Sequence, residues 1–294
     1  MSFIIQLGKS DDPRNTSEFL GGKGYSLNIL LKNNFPVPRG FIIDTAAPDY
    51  FLGYNKFLSS ESITKGDLPD DLKREILTEY DENHFHLVAV RSSANVEDSD
   101  KQSFAGQFDT FLGVRRGGVL EAIKKCWQSL YSLRACSYAL DKKSSRKMAV
   151  VIQEMINPEV SGVAFSTHPV TGDSNSMVIE AVLGSNELLV QGVVTPDCYI
   201  VNKNFEILDK KIVPQKQIQT INDRNGNLDK ISINENTQKL SDRQIVDVAR
   251  MVNDVACLSN KAVDIEWAIN GKKLYILQSR PITAISYTND KNLF

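Results

Sequence analysis

VAVRSSANVEDSDKQSFAGQFDTFLG, Val88 to Gly113, is the stretch whose reading decides the rest of the chain. Leu87 to Val90 is an apolar run that predicts a short buried strand, delivering Arg91 to a surface lip with the hydroxyls of Ser92 and Ser93 beside it. Arginine is always charged and can hold a phosphate through two parallel hydrogen bonds. Asn95 to Ser103 is acidic and polar and reads as a loop. The chain then returns at Phe104-Ala105-Gly106-Gln107 into an alternating strand in which Phe108, Thr110 and Leu112 share one face. Gly106 has no Cβ and permits close backbone approach. Alone, Arg-Ser-Ser is an ordinary strand end, so its meaning is decided by other segments.

Upstream, Gly21-Gly22-Lys23-Gly24 precedes YSLNILLKNN, where Leu27, Leu30 and Leu31 fall at helical spacing, so a glycine loop opens a helix. A helix N-terminus offers unpaired amides and the positive end of a dipole, and Lys23 adds a point charge. The GxxxxGK[ST] spacing of a Walker loop is absent. Phe35 to Phe41, FPVPRGF, is a turn into a strand, and Asp71 to Tyr80 reads as helix.

Downstream, Gly118 to Lys142 carries Leu120, Ile123, Trp127, Leu130 and Leu133 at helical spacing, which predicts a long amphipathic helix with Arg134 as a surface charge. Met148 to Ile156, MAVVIQEMI, is a nearly apolar strand that carries Gln153 and Glu154 and stops at Asn157-Pro158. Ser161 to Ser166, Met177 to Leu183 and Asp197 to Val201 read as further strands, and 201–237 as a polar, strand-like, Asn-rich surface meander. Ser241 with Gln244 predicts a capping box on a scaffold helix whose core face is Ile245, Val248, Ala249, Val252 and Ala256.

Ala262 to Thr283, AVDIEWAINGKKLYILQSRPIT, reads as a hairpin around Asn270-Gly271. Its register follows from parity. A two-residue loop pairs positions whose numbers sum to an odd value and would separate the apolar sets Val263, Ile265, Trp267, Ile269 and Tyr275, Leu277. A three-residue loop, Asn270-Gly271-Lys272 with a glycine bulge, puts them on one face and gathers Asp264, Glu266, Gln278 and Arg280 on the other. Carboxylate and amide oxygens with a guanidinium on one face suit Mg²⁺ and phosphate.

With 294 residues, 41% of them hydrophobic, the chain is long enough for a large core split into two lobes. A formal charge of -2 gives no electrostatic argument for nucleic acid or an anionic membrane. There is no apolar run of membrane-spanning length and no signal-peptide pattern at the N-terminus. Cys126, Cys136, Cys198 and Cys257 lack CxxC spacing, as expected of reduced thiols in cytoplasm. His84 and His86 at i, i+2 would share one face of a strand, without a third metal ligand of matching character nearby.

Taken together, GGKG, RSS, AGQF, VIQEM, DIEW and QSRPIT resemble, in the family's order and from Gly21 to Thr283, the nucleotide-binding domain of phosphoenolpyruvate synthase, pyruvate phosphate dikinase and rifampicin phosphotransferase. The resemblance implies an α+β, ATP-grasp fold of two lobes, 1–153 and 154–294, hinged near Gln153 to Asn157 with the nucleotide between them. It implies that Lys23, Arg91, Thr110 and Arg280 neutralise phosphate charge, with Lys23, Arg91 and Arg280 catalytic. Gly106 approaches the nucleotide and Gln153 contacts it; the backbone of Glu154, Met155 and Ile156 takes the adenine edge. Glu266 and Gln278 hold Mg²⁺.

The activity implied is a phosphotransferase, an ATP-dependent dikinase that cleaves ATP to AMP and phosphorylates a histidine on a swivelling carrier domain. Neither that domain nor an acceptor domain is recognised in the sequence, so the chain is expected to be either a fragment or a subunit that needs a partner in trans, and the acceptor stays open between pyruvate and an antibiotic. Gly184-Ser185-Asn186-Glu187 departs from the family's Gly-Leu-Gly-Glu. Two other classes stay open: an ATP-grasp ligase that forms an acyl phosphate and ADP, and a nucleotide-binding regulatory module without turnover.

Overall fold

The computed structural model describes the chain apart from residues 1, 10–11, 57–59, 96–108, 138–146, 223–224 and 283–294. Phe104 to Phe108, with Gly106, and Thr283 therefore lie outside the described residues. The fold is α+β, in two compact units: Met1–Met155 with Asn222–Leu228, and Ile156–Ile221 with Asp229–Phe294.

The first unit runs β1 (Ile4–Gln6), α1 (Ser17–Lys32), β2 (Gly40–Ile43), α2 (Ala47–Tyr54), α3 (Asp70–Glu82), β3 (Val88–Ala94), β4 (Thr110–Val114), α4 (Val119–Ser137) and β5 (Met148–Glu154). Its five strands form an antiparallel sheet in the order β1-β2-β5-β3-β4. Strand alternation divides the sheet's residues between two faces. Phe41, Ile43, Val88, Val90, Val150 and Ile152 join a core with Phe51 of α2, Leu72 and Ile76 of α3, and Ile123 and Trp127 of α4. Trp127 is fully buried and tilted against Phe51 at 5.4 Å between ring centroids; truncating such a side chain costs about 3–5 kcal/mol.

The opposite face, with Ile42, Arg91, Ser93, Val151 and Gln153, receives α1. A Cβ on Gly24 would stand 2.8 Å from Ile42 Cδ1 and 3.4 Å from Val151 Cγ2, so this glycine lets the helix sit on the sheet. From the second unit's hairpin region, Asn222–Leu228 belongs to the first unit. There Gly226 (φ 78°) and Gly113 (φ 66°) approach so closely that a Cβ on either would overlap the other's carbonyl oxygen.

The second unit contains β6 (Val160–Phe165), β7 (Ser176–Leu183), α5 (Glu187–Val190), β8 (Asp197–Asn202), β9 (Ile207–Lys211), β10 (Gln215–Ile221), β11 (Leu228–Glu235, whose first residue is assigned to the first unit), α6 (Asp242–Ser259), β12 (Val263–Asn270) and β13 (Lys273–Pro281). Six strands make an antiparallel sheet in the order β13-β12-β6-β7-β8-β9, and β10 pairs with β11. The polar, strand-like meander read from the sequence is the end of β8 with β9, β10 and β11. α6 starts on the expected capping box, Ser241 Oγ accepting from Gln244 N and Gln244 Oε1 accepting from Ser241 N. Its core face closes with Val255, while Ala256 is half-buried.

The hairpin β12–β13 corrects the parity argument. Asn270 pairs with Lys273, leaving the two-residue loop Gly271–Lys272, and Trp267 pairs with Ile276; beyond that the register shifts, and Glu266 pairs with Gln278 and Asp264 with Arg280. Leu277 is the extra residue of a bulge. The bulge, in place of a three-residue turn, brings Gln278 and Arg280 to the side of Asp264 and Glu266. Ile276, rather than Tyr275 or Leu277, is therefore the β13 residue that joins Trp267 in the core.

Candidate nucleotide-binding site

In the first unit the residues expected at a phosphate site are built around one hydroxyl. α1 is broken at Gly21 (φ 66°, ψ 175°), where a Cβ would overlap the backbone and hydroxyl of Ser93. A continuous helix would bond Gly24 N–H to Leu20 C=O; here Ser93 Oγ stands between them, accepting from Gly24 N at 3.0 Å and donating to Leu20 O at 2.8 Å. The glycine run opens the second part of the helix, as expected. The hydroxyls change role, however. β3 extends to Ala94, so Arg91, Ser92 and Ser93 are buried inside a strand and do not form a surface lip. Ser93 holds the helix break, and Ser92 Oγ donates to Asp109 O at 3.0 Å.

Lys23, just past the break, reaches Ser92 O with Nζ at 3.1 Å. Thr110 opens β4 directly across from Arg91 and is exposed. Arg91 is 8% exposed and donates from Nη1 to Gln153 Oε1 at 3.2 Å. Gln153 is 2% exposed, and its Nε2 has no hydrogen-bond partner among the described residues. Arginine donates only, so the contact fixes the amide's orientation, with oxygen toward Arg91 and N–H₂ toward whatever else the site holds. An orphaned buried donor carries a desolvation penalty of about 1–3 kcal/mol until it is satisfied.

The remaining expected positions have other partners. Glu154 takes a bidentate contact from Arg39, Nε to Oε2 at 3.0 Å and Nη2 to Oε1 at 2.8 Å, and its amide donates to Arg39 O. Met155 N donates to Leu87 O at 3.0 Å, so this amide is already engaged within the sheet. Ile156 is the first residue of the second unit. His84 lies in the turn after α3 with φ 52°, and does not share a strand face with His86; both line a shallow pocket with Arg115 and Arg116. Cys126, buried behind β3, has its thiol pushed up to about 12 by desolvation and is unsuited to nucleophilic work.

In the second unit Glu266 and Gln278 are direct cross-strand neighbours, and Arg280 stands opposite Asp264. Arg280 Nε donates to both oxygens of Asp264, at 2.9 and 2.8 Å, with Asp264 the more buried partner. Asp264 thus orients the guanidinium, a role the sequence did not separate from that of a metal ligand. A carboxylate beside an amide oxygen is a hard-oxygen donor set that fits Mg²⁺, which keeps part of its shell for phosphate oxygens and water.

In the loop 184–187, Gly184 takes φ 76°, and Ser185 N donates to Gln219 O at 2.8 Å. Ser185 and Asn186 are buried. The bond ties the loop's backbone to β10 and does not depend on the side chains that depart from Gly-Leu-Gly-Glu.

A family model described as the pyruvate phosphate dikinase AMP/ATP-binding domain matches residues 17–293. The chain belongs to this family. Among relatives of this AMP/ATP-binding domain, an uncharacterized phosphotransferase of Bacillus subtilis, YvkC, is 36% identical over 286 residues, covering 92% of this chain and 34% of the relative. A probable phosphoenolpyruvate synthase of Archaeoglobus fulgidus is 35% identical, covering 94% and 41%. The rifampicin phosphotransferase of Bacillus subtilis is 31% identical, covering 97% and 36%. The chain therefore spans between a third and a half of the length of these relatives. Among the described residues no helix is long and apolar enough to cross a membrane.

Proposed function

We propose that the chain is the MgATP-binding part of a phosphoenolpyruvate-synthase-like or rifampicin-phosphotransferase-like dikinase with an ATP-grasp architecture. The observation that carries this reading is the bulged register of β12–β13, which sets Glu266 against Gln278 and Arg280 against its orienting carboxylate Asp264 in a family of AMP/ATP-binding domains. Glu266 and Gln278 would hold Mg²⁺, which supplies charge neutralisation on the phosphates when bound. Arg280, Arg91, Lys23 and Thr110 bind and orient phosphate oxygens, the positioning and electrostatics that phosphoryl transfer chiefly needs. Gln153 donates to the nucleotide through Nε2.

Because the Glu154 and Met155 amides are engaged by Arg39 and Leu87, adenine recognition along this segment rests on carbonyl groups and on Ile156. ATP is cleaved to AMP, and a histidine of a carrier domain or subunit takes either the pyrophosphoryl group or the β-phosphoryl group with the γ-phosphoryl passing to water as inorganic phosphate. This takes place in the cytoplasm, where free Cys126, Cys198 and Cys257 stay reduced.

The test is incubation of the chain with MgATP labelled separately in its β and γ phosphates, with and without a purified histidine carrier domain. AMP together with β label on the carrier is the expected result. ADP release would point to a ligase, and binding without cleavage under any condition to a regulatory module; either outcome overturns the proposal.

A further inference from the structure

The six-stranded sheet carries another carboxylate on the face of Asp264 and Glu266. Glu266 pairs with Val163 of β6, Val163 with Glu180 of β7, and Glu180 with Cys198 of β8. Directly paired residues of antiparallel strands project to the same face, so Gln278, Glu266, Val163, Glu180 and Cys198 form one row across five strands. At about 4.8 Å per strand, Glu180 stands roughly 10 Å along this row from Glu266.

Its neighbours on that face are apolar: Val178 and Val182 two residues away on β7, with Phe165 and Val163 on β6. Val163 and Phe165 are half-buried and leave accessible surface beside the carboxylate. Glu180 is itself half-buried. Among the described residues its carboxylate has neither a hydrogen bond nor an ion pair, and desolvation by burial raises its pKa. A carboxylate kept in apolar surroundings without a protein partner weakens the unliganded fold and so calls for a ligand that supplies donors.

We infer that Glu180 is the hydroxyl-recognising residue of the nucleotide subsite, its two oxygens accepting hydrogen bonds from the ribose of a nucleotide whose phosphates are held at Glu266, Gln278 and Arg280. This rests on the MgATP reading above. A diol offers two donors to two acceptor oxygens, and the uncharged nucleoside suits the Val163–Phe165 surface. Across an intervening strand from Glu266, Glu180 is poorly placed to share its cation.

The experiment is calorimetric titration of the whole chain with MgATP and with the Mg²⁺ complexes of its 2′-deoxy and 3′-deoxy analogues, repeated for Glu180→Gln at several Mg²⁺ concentrations. The unsubstituted chain should favour ATP over at least one deoxy analogue by about 10-fold, as for loss of a hydrogen bond to a charged group. In E180Q that preference should collapse toward unity with the Mg²⁺ dependence unchanged. Equal affinity of the unsubstituted chain for all three nucleotides overturns the inference without needing a variant. So does undiminished discrimination in E180Q, or a raised Mg²⁺ requirement, which would reassign Glu180 to the metal. Failure of the unsubstituted chain to bind MgATP at all would sink the MgATP reading itself, an outcome distinct from binding without ribose discrimination.

Discussion

Two of the places where the described residues bury polar side chains do it in opposite ways. In the second unit Asp197 and Lys239 have fully buried side chains, with Nζ 2.6 Å from Oδ1. Lys239 Nζ also donates to Val213 O. Asp197 accepts in addition from Val213 N, Lys239 N and the Tyr199 hydroxyl, at 2.8–3.0 Å. Desolvation and the neighbouring Asp197 keep the Tyr199 hydroxyl protonated well above its usual range. In the first unit, Arg91 and Gln153 are nearly as buried, yet Gln153 Nε2 is left with no partner among the described residues. The closed set ties β8, the segment before β10 and the start of α6 together, and needs nothing further. In the open set one donor has no partner among the described residues, as the proposed nucleotide contact through Gln153 requires. Burial alone does not separate scaffold from site; what separates them is whether the hydrogen bonds close.

The largest effect should come from breaking the closed set. Lys239→Met leaves a buried carboxylate without its cation and should cost about 3–5 kcal/mol, read from urea unfolding; pairing it with Asp197→Asn should recover part of the loss. Next, Ser93→Ala strands Gly24 N–H and Leu20 C=O at the break of α1 and should destabilise by about 1–3 kcal/mol. Hydrogen exchange at the Gly24 amide should quicken with it.

Opening the open set further should behave differently. Gln153→Met removes the Nε2 donor that has no described partner and also the acceptor of Arg91 Nη1, so stability should fall by about 1–3 kcal/mol while MgATP affinity falls about 10-fold for the lost hydrogen bond; calorimetry of both quantities on one sample separates the two effects. Glu180 belongs with the open set. Its carboxyl pKa is raised on folding, so its charge is a penalty above the folded pKa that is lifted as the pH falls through it. Glu180→Gln should therefore raise the stability of the unliganded chain at neutral pH and flatten the pH dependence just above the ordinary glutamate range. The smallest effect is expected at the exposed Arg39–Glu154 pair, where Arg39→Ala should cost between 0 and about 1 kcal/mol and lose even that in high salt.

The elements that declared themselves in the sequence were those with a repeating pattern: α4, α6 with its capping box, the apolar β5 and the alternating β12–β13. The Lys23, Arg91, Gln153 and Glu266-Gln278-Arg280 positions stood out through resemblance more than through periodicity. Lys239 was invisible because its partners come from residues 26 to 42 positions away. Ser93 was misread for a related reason, since a hydroxyl next to an arginine looks like a ligand until the helix it props is in view. Glu180 sits in an apolar strand where one carboxylate breaks no pattern, and only the register across three strands ties it to Glu266.

The bulge in the last hairpin has a consequence for how this domain can change length. Leu277 is supernumerary: deleting it would restore a regular ladder with Gln278 still opposite Glu266, whereas a single uncompensated insertion or deletion at another paired position of the two strands between Glu266 and Gln278, outside the Gly271-Lys272 loop, would turn Gln278 and Arg280 toward Ile265 and the core. Among natural relatives, gaps in this hairpin should therefore fall at Leu277 or in the Gly271-Lys272 loop, or come in compensating pairs, a rule about counting residues that holds whichever side chains fill the rest of the strands.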